Sequence, residues 1–357
     1  MLASDSFKGT LSSNDIAHIA RELISEEFSD AWTLDCQLMA DGGEGTVEAF
    51  SSLWGGDRRE IETVGAEGDT LSCPLLLNEK GEALFEVASV IGLPLIKKKT
   101  PSLSRTTKGI GVVIREAVRL GARKIYVGLG GSSTNDLGIG MLSELGVRFE
   151  GVSNPTMANA KDISSIDASG FELAGKGIEF VCLSDVTNPL LGEDGATFVY
   201  GPQKGYVNSL GYLEDQMARL ASMYEKATSK SLQKVPGLGA SGGLGAAFHA
   251  FMDAEIASGI ETLLRSSRFK ERAEKADLII TGEGSFDEQS LQGKVFSGVR
   301  ANTPKGKLVV LCGRNRIKEP GVPIYETSER NRPCLYIKEH AKEGYRDALK
   351  HVLETYR

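Results

Sequence analysis

The chain has 357 residues, a formal net charge of −7 at pH 7 and 42 glycines, and its length allows two domains. Its acidic balance argues against a nucleic acid or an anionic membrane as partner, and the sequence shows neither an apolar run long enough to cross a membrane nor an export signal. Five widely spaced cysteines without a C-x-x-C pair favour neither a disulfide framework nor a zinc site, so we expect a reduced, cytoplasmic environment.

Strand patterns and helix patterns alternate along the chain. They predict a helix at Ser13–Glu27, a strand near Leu34–Met39, a helix at Gly45–Leu53, strands near Leu71–Leu77 and Ala83–Val87, a helix at Gly109–Leu120, strands near Arg123–Gly128, Glu179–Ser184 and Thr197–Val199, a helix at Asn208–Ala227, and strands near Asp277–Thr281 and Lys307–Leu311. Such alternation predicts an α/β fold with a mostly parallel sheet and helices on its faces.

The most informative segment is Gly128–Asp136, which reads Gly-Leu-Gly-Gly-Ser-Ser-Thr-Asn-Asp after a strand pattern. A strand that runs into a glycine-rich turn and then a helix leaves backbone N–H groups and the positive end of a helix dipole at one spot, which suits a phosphate. Glycine allows close approach to a ligand, and the polar side chains of Ser132–Asn135 can donate to the same anion. They can equally cap an ordinary helix start, and that alternative stays open.

Two other predicted strand ends place carboxylates beside glycines. They are Ala40–Thr46, which contains Asp41 and Glu44, and Thr281–Asp287, which contains Glu283. In open α/β sheets the ligand binds at the carboxyl ends of the strands. Carboxylates in a phosphate site usually indicate Mg²⁺, which offsets the repulsion between acid and anion. Each carboxylate alone could instead be a turn former or a cap.

Histidine is scarce in this sequence. The four histidines lie in helical patterns outside the glycine-rich loops, at positions 18, 249, 340 and 351, so a histidine-based triad is not expected. A general base here would be a carboxylate, whose low pKa suits accepting a proton from a hydroxyl that a metal and a phosphoryl acceptor already polarise.

Seven motifs occur in order along nearly the whole chain: Asp5–Ser12, Ala40–Thr46, Gly128–Asp136, Asp185–Gly192, Gly201–Gly205, Gly239–Gly245 and Thr281–Lys294. In their order and composition they resemble the motifs of the type I glycerate kinases. The resemblance implies phosphorylation of D-glycerate by ATP with Mg²⁺, giving 2-phosphoglycerate, with 3-phosphoglycerate as the alternative product. It also implies two α/β domains with the active site in their cleft: a Rossmann-like domain from both chain ends, residues 1–66 and 275–357, and an inserted domain, residues 67–274.

In the phosphoryl transfer that the resemblance implies, the protein mainly positions the reacting groups and neutralises the charge of the phosphates. Asp185 is the first candidate for the catalytic contact with the substrate hydroxyl, with Asp287 second, although Asp185 could also be an Asx-turn residue. The lysines beside glycine are expected to neutralise phosphate or the glycerate carboxylate; they are Lys204, also placed in the catalytic group, Lys8 and Lys294. Asp41 and Glu44 are the candidate metal ligands. The other expected ATP- or substrate-binding residues are Asp5, Ser6, Gly130, Gly131, Ser132, Ser133, Asn135, Asp136, Asn188, Gln203, Gly282, Glu283 and Gly284.

The chain departs from the family pattern at three places. The opening strand before Asp5 is shortened or missing, Ser285 stands where the family has arginine, and the part after Gly313 matches least, with arginines that either compensate or face solvent. The run Gly128–Ser133 also resembles the phosphate loop of galactokinase-type kinases, whose other motifs are not found in order. These departures leave an alternative function, a non-catalytic or altered-substrate descendant that binds a small hydroxy acid or a nucleotide.

Overall fold

The structure is a computed structural model that describes residues 1–7, 9–97, 103–233, 235–291, 295–317, 321–328 and 334–357. Its helices are α1 (Ser13–Glu27), α2 (Thr46–Trp54), α3 (Ala88–Ile91), α4 (Lys108–Arg119), α5 (Ile139–Glu144), α6 (Ala196–Tyr200), α7 (Leu210–Thr228), α8 (Ala240–Met252), α9 (Gly259–Ser266), α10 (Phe269–Lys275), α11 (Val295–Ala301), α12 (Cys334–Glu339) and α13 (Ala341–Thr355). Its strands are β1 (Asp57–Val64), β2 (Thr70–Leu77), β3 (Glu82–Glu86), β4 (Lys124–Gly128), β5 (Arg148–Glu150), β6 (Ser165–Asp167), β7 (Glu179–Leu183), β8 (Glu255–Ala257), β9 (Ile279–Phe286), β10 (Leu308–Asn315) and β11 (Ile324–Glu326). None of the helices in these ranges is long and apolar enough to span a bilayer.

The chain divides into two compact units. Unit 1 consists of Met1–Asp41, Glu48–Leu53 and Ile260–Arg357, and unit 2 consists of Gly42–Val47 and Trp54–Gly259. Each combines helices with parallel strands, which confirms the predicted α/β class. The division differs from the predicted domain limits of 1–66, 67–274 and 275–357, and those limits stay a prediction.

Unit 2 is built on a six-stranded sheet in the order β1-β2-β3-β4-β7-β8. The pairs β1·β2 and β2·β3 are antiparallel, whereas β3, β4, β7 and β8 run parallel to one another. Apolar side chains such as Phe85, Val127 and Cys182 are fully buried, as expected for central parallel strands covered on both faces. The parallel register brings the carboxyl ends of these four strands to one edge of the sheet.

Unit 1 contains the parallel sheet β11-β10-β9. The first residues of the chain add to it, because Ala3 N donates to Ile280 O and Ile280 N donates to Met1 O, both at 2.8 Å. Helix α1 begins with a capping box between Ser12 and Asp15, and it packs against α13 through a buried face that includes Leu23. Segments from both ends of the chain therefore share one core.

Most predicted elements are confirmed within a few residues, but two predicted strands are wrong. Leu34–Met39 forms only an isolated bridge from Cys36 to Leu2, in which Leu2 N donates to Asp35 O and Gln37 N donates to Leu2 O, both at 2.8 Å. Thr197–Val199 lies in α6, where Thr197 is fully buried and the neighbouring apolar side chains are exposed, so its β-branched and aromatic composition misleads. The edge strand β1 escapes prediction because five of its eight residues are charged.

Candidate active site

In unit 2 the predicted residues gather at the carboxyl ends of β4 and β7. Gly130 N donates to Gly42 O at 3.1 Å, and Leu129 N donates to Leu183 O at 3.0 Å. A Cβ atom on Gly130 would lie 2.5 Å from the Cα of Gly43. Glycine is therefore required here because three backbone segments approach one another closely, and this packing holds Gly42–Gly43 against the loop that follows β4.

The loop Ser132–Asp136 is buried and is held by a buried lysine. Lys204 is 6% exposed, and its Nζ donates to Ser132 Oγ at 3.0 Å and to Thr134 O at 2.5 Å. Burial lowers the pKa of Lys204 to about 7, while the nearby Asp136 carboxylate raises it and the Arg105 guanidinium lowers it. The ammonium group thus fixes the loop from within the protein.

Asp136 anchors the same loop from its other end. Its Oδ2 accepts hydrogen bonds from Thr107 N at 3.0 Å and from Thr107 Oγ1 at 2.9 Å, and its Oδ1 accepts one from Gly138 N at 3.2 Å. Burial raises the pKa of Asp136, and these hydrogen bonds lower it. Two further buried oxygens, Thr134 Oγ1 and Asn135 Oδ1, have no hydrogen-bond partner in the described part of the chain. Since buried polar atoms are normally satisfied, they mark a place that could receive a donor.

Several backbone amides of this loop are already used inside the protein. Gly130 N is engaged as described above, and Ser133 N donates to Ile91 O at 2.7 Å. Among the described residues, no backbone acceptor takes a hydrogen bond from Gly131 N or Ser132 N. Helix α5 begins only at Ile139 and is six residues long. The predicted phosphate cradle therefore rests on two amides and stays a prediction.

Backbone strain concentrates where this loop meets the glycine-rich start of α8, in which Ser241–Gly243 have non-helical backbone angles. Leu137 and Ser241 both adopt φ of +53°, in the left-handed region that residues with side chains seldom occupy. Leu137 N donates to Gly242 O at 3.1 Å, and the Ser241 hydroxyl donates to the carbonyl of Leu129. Strained residues of this kind cluster at functional sites. The strain supports the assignment of this loop to a site.

Asp185 lies directly after β7 and is half-buried. Its Oδ1 accepts a hydrogen bond from the hydroxyl of Ser258, which follows the neighbouring parallel strand β8. This bond fixes the carboxylate at the carboxyl edge of the sheet. The Asn188 side chain is engaged with the Tyr200 hydroxyl and with the carbonyl of Asp194.

Two other expected residues of unit 2, Gln203 and Glu44, are both exposed. Neither side chain is therefore held in place by packing.

In unit 1 a second group of predicted residues lines a cavity of about 830 Å³, which we call the unit 1 cavity. The predicted residues in its wall are Asp5, Ser6, Asp41, Glu283, Gly284 and Asp287. Gly282 lies behind the wall, where a Cβ atom would be 2.0 Å from the carbonyl oxygen of Leu311. It therefore serves the close packing of β9 on β10.

Arg314 and Arg316, for which the sequence analysis left open whether they compensate or face solvent, are exposed and also line this cavity. The sequence analysis missed three other residues of its wall, Glu326, Tyr336 and His340. The signal for the arginines was present, because they follow the strand pattern Lys307–Leu311 and strand ends are where ligands bind.

Two expected residues, Lys8 and Lys294, lie outside the described residues. Within the described ranges, no three His, Cys, Asp or Glu side chains are grouped closely enough to hold a metal ion. Asp41 belongs to unit 1 and Glu44 to unit 2. The predicted metal role of this pair and the predicted convergence of all the site residues in one cleft stay predictions.

Comparison with known proteins gives consistent relationships along nearly the whole chain. A model of the glycerate kinase family matches residues 1–347. The glycerate 2-kinase of Escherichia coli K12 is 36% identical over 312 residues, which cover 85% of this chain and 81% of that protein. A glycerate kinase of Neisseria meningitidis serogroup B is 34% identical over 331 residues, covering 91% and 88%. The crystal structure of a candidate glycerate kinase 2 from Salmonella typhimurium LT2 superposes with a TM-score of 0.82 at 31% identity, covering 99% of this chain and 96% of that one.

Proposed function

Because the chain belongs to the glycerate kinase family, we propose that it transfers the γ-phosphoryl group of ATP to the 2-hydroxyl group of D-glycerate. The observation that carries the proposal is the 36% identity to the glycerate 2-kinase of Escherichia coli K12 across most of both chains. The strand-end placement of Asp185 and of the loop Ser132–Asp136 supports it, since ligands bind at this edge of open α/β sheets.

Asp185 is the residue that we propose to contact the reacting hydroxyl. In the transfer, the 2-hydroxyl O–H bond breaks, a bond forms between that oxygen and the γ-phosphorus, and the bond from the γ-phosphorus to ADP breaks. The proton goes to the Asp185 carboxylate, which Ser258 orients through its hydrogen bond. Asp287, in the wall of the unit 1 cavity, is the second candidate.

Charge neutralisation is the second task in this proposal. Lys204 donates to Ser132 Oγ and Thr134 O, so its amino group holds the loop and, when protonated, adds positive charge next to it. Mg²⁺, when bound, neutralises phosphate charge. Mg²⁺ is usually held by one or two carboxylates together with phosphate oxygens and waters, and Asp41 in the wall of the unit 1 cavity is a hard oxygen donor of that kind. Asp41 is therefore a better candidate ligand than the exposed Glu44.

The test is a turnover assay on the purified chain with ATP, Mg²⁺ and D-glycerate, in which ³¹P NMR separates 2-phosphoglycerate from 3-phosphoglycerate. Reactions with L-glycerate and without acceptor are the controls. We expect 2-phosphoglycerate to form only with D-glycerate. Formation of 3-phosphoglycerate would overturn the regiochemistry, and the absence of turnover with D-glycerate would overturn the proposed reaction.

The non-catalytic or altered-substrate alternative is less favoured, because relatives named glycerate kinase match more than four-fifths of the chain. ADP formation with another hydroxy acid but not with D-glycerate would support it. We also propose a cytoplasmic location. The free thiols of Cys36, Cys73, Cys182 and Cys312 support it.

A further inference from the structure

The unit 1 cavity lies where the parallel strands of its sheet end. Glu283–Ser285 of β9, Gly313–Arg314 of β10 and Glu326 of β11 line it, together with residues from α12 and α13. Its volume of about 830 Å³ is within the roughly 300–1,000 Å³ that is typical of sites for drug-sized ligands. A three-carbon acid would fill only a small part of it, so the cavity fits a larger ligand.

Two arginines bring positive charge to a wall that is otherwise rich in carboxylates. Arg314 is the ladder partner of Ser285 on β9, Arg316 lies one residue beyond the end of β10, and both line the cavity. In the described part of the chain, neither guanidinium forms an ion pair or a hydrogen bond with another side chain. A guanidinium matches two phosphate oxygens at once, and two of them suit a chain of phosphates.

An aromatic surface completes the cavity. The rings of Tyr336 and His340 are stacked with centroids 4.1 Å apart and an interplanar angle of 17°. Both line the cavity, and Tyr336 remains 40% exposed. A flat aromatic group of this kind stacks with nucleobases. The carboxylates of Glu326 and Asp347, also in the wall, can accept hydrogen bonds from ribose hydroxyls.

We propose that the unit 1 cavity binds the nucleotide, with the base against Tyr336 and the phosphates at Arg314 and Arg316. The proposal rests on the ATP dependence proposed above and deepens it. A nucleoside diphosphate or triphosphate joins a flat base, two hydroxyls and an anionic chain, which are the three chemistries that this wall offers. Mg²⁺ carried by the nucleotide offsets the carboxylates around it. D-Glycerate does not compete for the part of the wall that holds the base and the phosphates.

The test measures binding of ADP and of adenosine to the full chain by titration calorimetry in the presence of Mg²⁺. We expect Arg314→Ser to weaken ADP binding by about 10–100-fold, as for the loss of hydrogen bonds to a charged group, and to leave adenosine binding unchanged. The matched control is Arg265→Ser, which removes an exposed arginine of the same unit outside the cavity. It should bind ADP with wild-type affinity.

A double variant that moves the guanidinium from β10 to β9 distinguishes a loss of ADP binding from a loss of folding. Ser285 and Arg314 are ladder partners on neighbouring strands, about 4.8 Å apart. The double variant Ser285→Arg/Arg314→Ser therefore returns a guanidinium to the same wall, and we expect it to recover most of the ADP affinity. Tyr336→Ala should weaken adenosine and ADP alike and leave inorganic pyrophosphate binding unchanged.

Three results would overturn the inference: no ADP binding by the wild-type chain, unchanged ADP affinity in both Arg314→Ser and Arg316→Ser, or displacement of ADP by D-glycerate. The proposed function fails separately. Arginine-dependent ADP binding without turnover of D-glycerate would keep the nucleotide site and reject the kinase reaction. Turnover with an unchanged KM for ATP in both Arg314→Ser and Arg316→Ser would keep the reaction and reject the nucleotide site.

Discussion

Replacing Asp185 by asparagine separates the charge of this side chain from its structural role. Asparagine has nearly the same shape and keeps an acceptor oxygen for the Ser258 hydroxyl. The charge assistance of that hydrogen bond is lost. A hydrogen bond to a charged group contributes about 1.5–3 kcal/mol and a neutral one about 0.5–1.5 kcal/mol. Because Asp185 is half-buried, we expect the unfolding free energy of Asp185→Asn to be about 1 kcal/mol lower than that of the wild type. For a unit of this size that lowers the Tm by roughly 2–4 °C.

Turnover should fall much further than stability. A positioned general base contributes about 10²–10⁴-fold to a rate, which is about 3–5 kcal/mol of activation free energy. We therefore expect the kcat of Asp185→Asn to drop by about 10²–10⁴-fold while the protein stays folded at the assay temperature. The assay measures kcat at saturating ATP and D-glycerate, and differential scanning fluorimetry gives the Tm of the same samples.

The matched control is Ser258→Ala, which removes the hydroxyl donor but keeps the Asp185 carboxylate. We expect a similar small loss of Tm and a kcat within about tenfold of wild type. Near-wild-type turnover in Asp185→Asn would refute the general-base role. Equal losses of kcat in the two variants would instead show that the pair acts through structure.

Three other predictions concern packing, hydrogen bonding and pH. Gly282→Ala places a Cβ atom 2.0 Å from a carbonyl oxygen of β10, so we expect this variant to lose cooperative thermal unfolding. The control is Gly211→Ala in α7, where a Cβ atom meets nothing within 4 Å; it should add about 0.5–1 kcal/mol of stability. Thr107→Val removes the hydroxyl donor to the buried Asp136 carboxylate, so we expect urea unfolding to show a loss of about 1.5–3 kcal/mol in unfolding free energy. A loss smaller than a weak hydrogen bond, about 0.5 kcal/mol, would contradict this prediction. The pKa of Lys204 is about 7 in the folded protein, and its ordinary value is 10.5. Between these two pH values the unfolded chain binds more protons than the folded one, so the unfolding free energy should rise from pH 7 to pH 9. Urea titrations of Lys204→Met should lack that rise, and a flat wild-type profile would contradict the prediction.

Local sequence patterns predicted elements well where several local signals agreed. Ser13–Glu27 was predicted to the residue, and in the structure the Ser12/Asp15 capping box and a buried face with Ile16 and Leu23 define the same helix. Thr197–Val199 was wrong because three residues carry no period, and the helical burial of Thr197 depends on contacts that the local sequence does not show.

The site shows a similar limit. Strand-end motifs predicted Asp185 and the loop Ser132–Asp136 as site residues, and the Gly201–Gly205 motif predicted Lys204, but no motif predicted Ser258 or Arg105. Ser258 reaches Asp185 only because β7 and β8 pair in parallel, and Arg105 donates to the carbonyl of Ser133 from a distant position in the chain. No local pattern marks such partners, since their proximity is created by the tertiary fold.

The assembly of unit 1 from both ends of the chain has a consequence during synthesis. Helix α1 ends at Glu27, and its apolar face is covered by a core that also needs β9, which begins at Ile279. At about 5–20 residues per second, the ribosome needs roughly 10–50 s to make the intervening segment. During that interval unit 2 can fold, whereas α1 has no partner for its buried face. Nascent chains that stall before β9 therefore expose the apolar face of an amphipathic helix. Chaperones bind such faces, and such faces also drive aggregation.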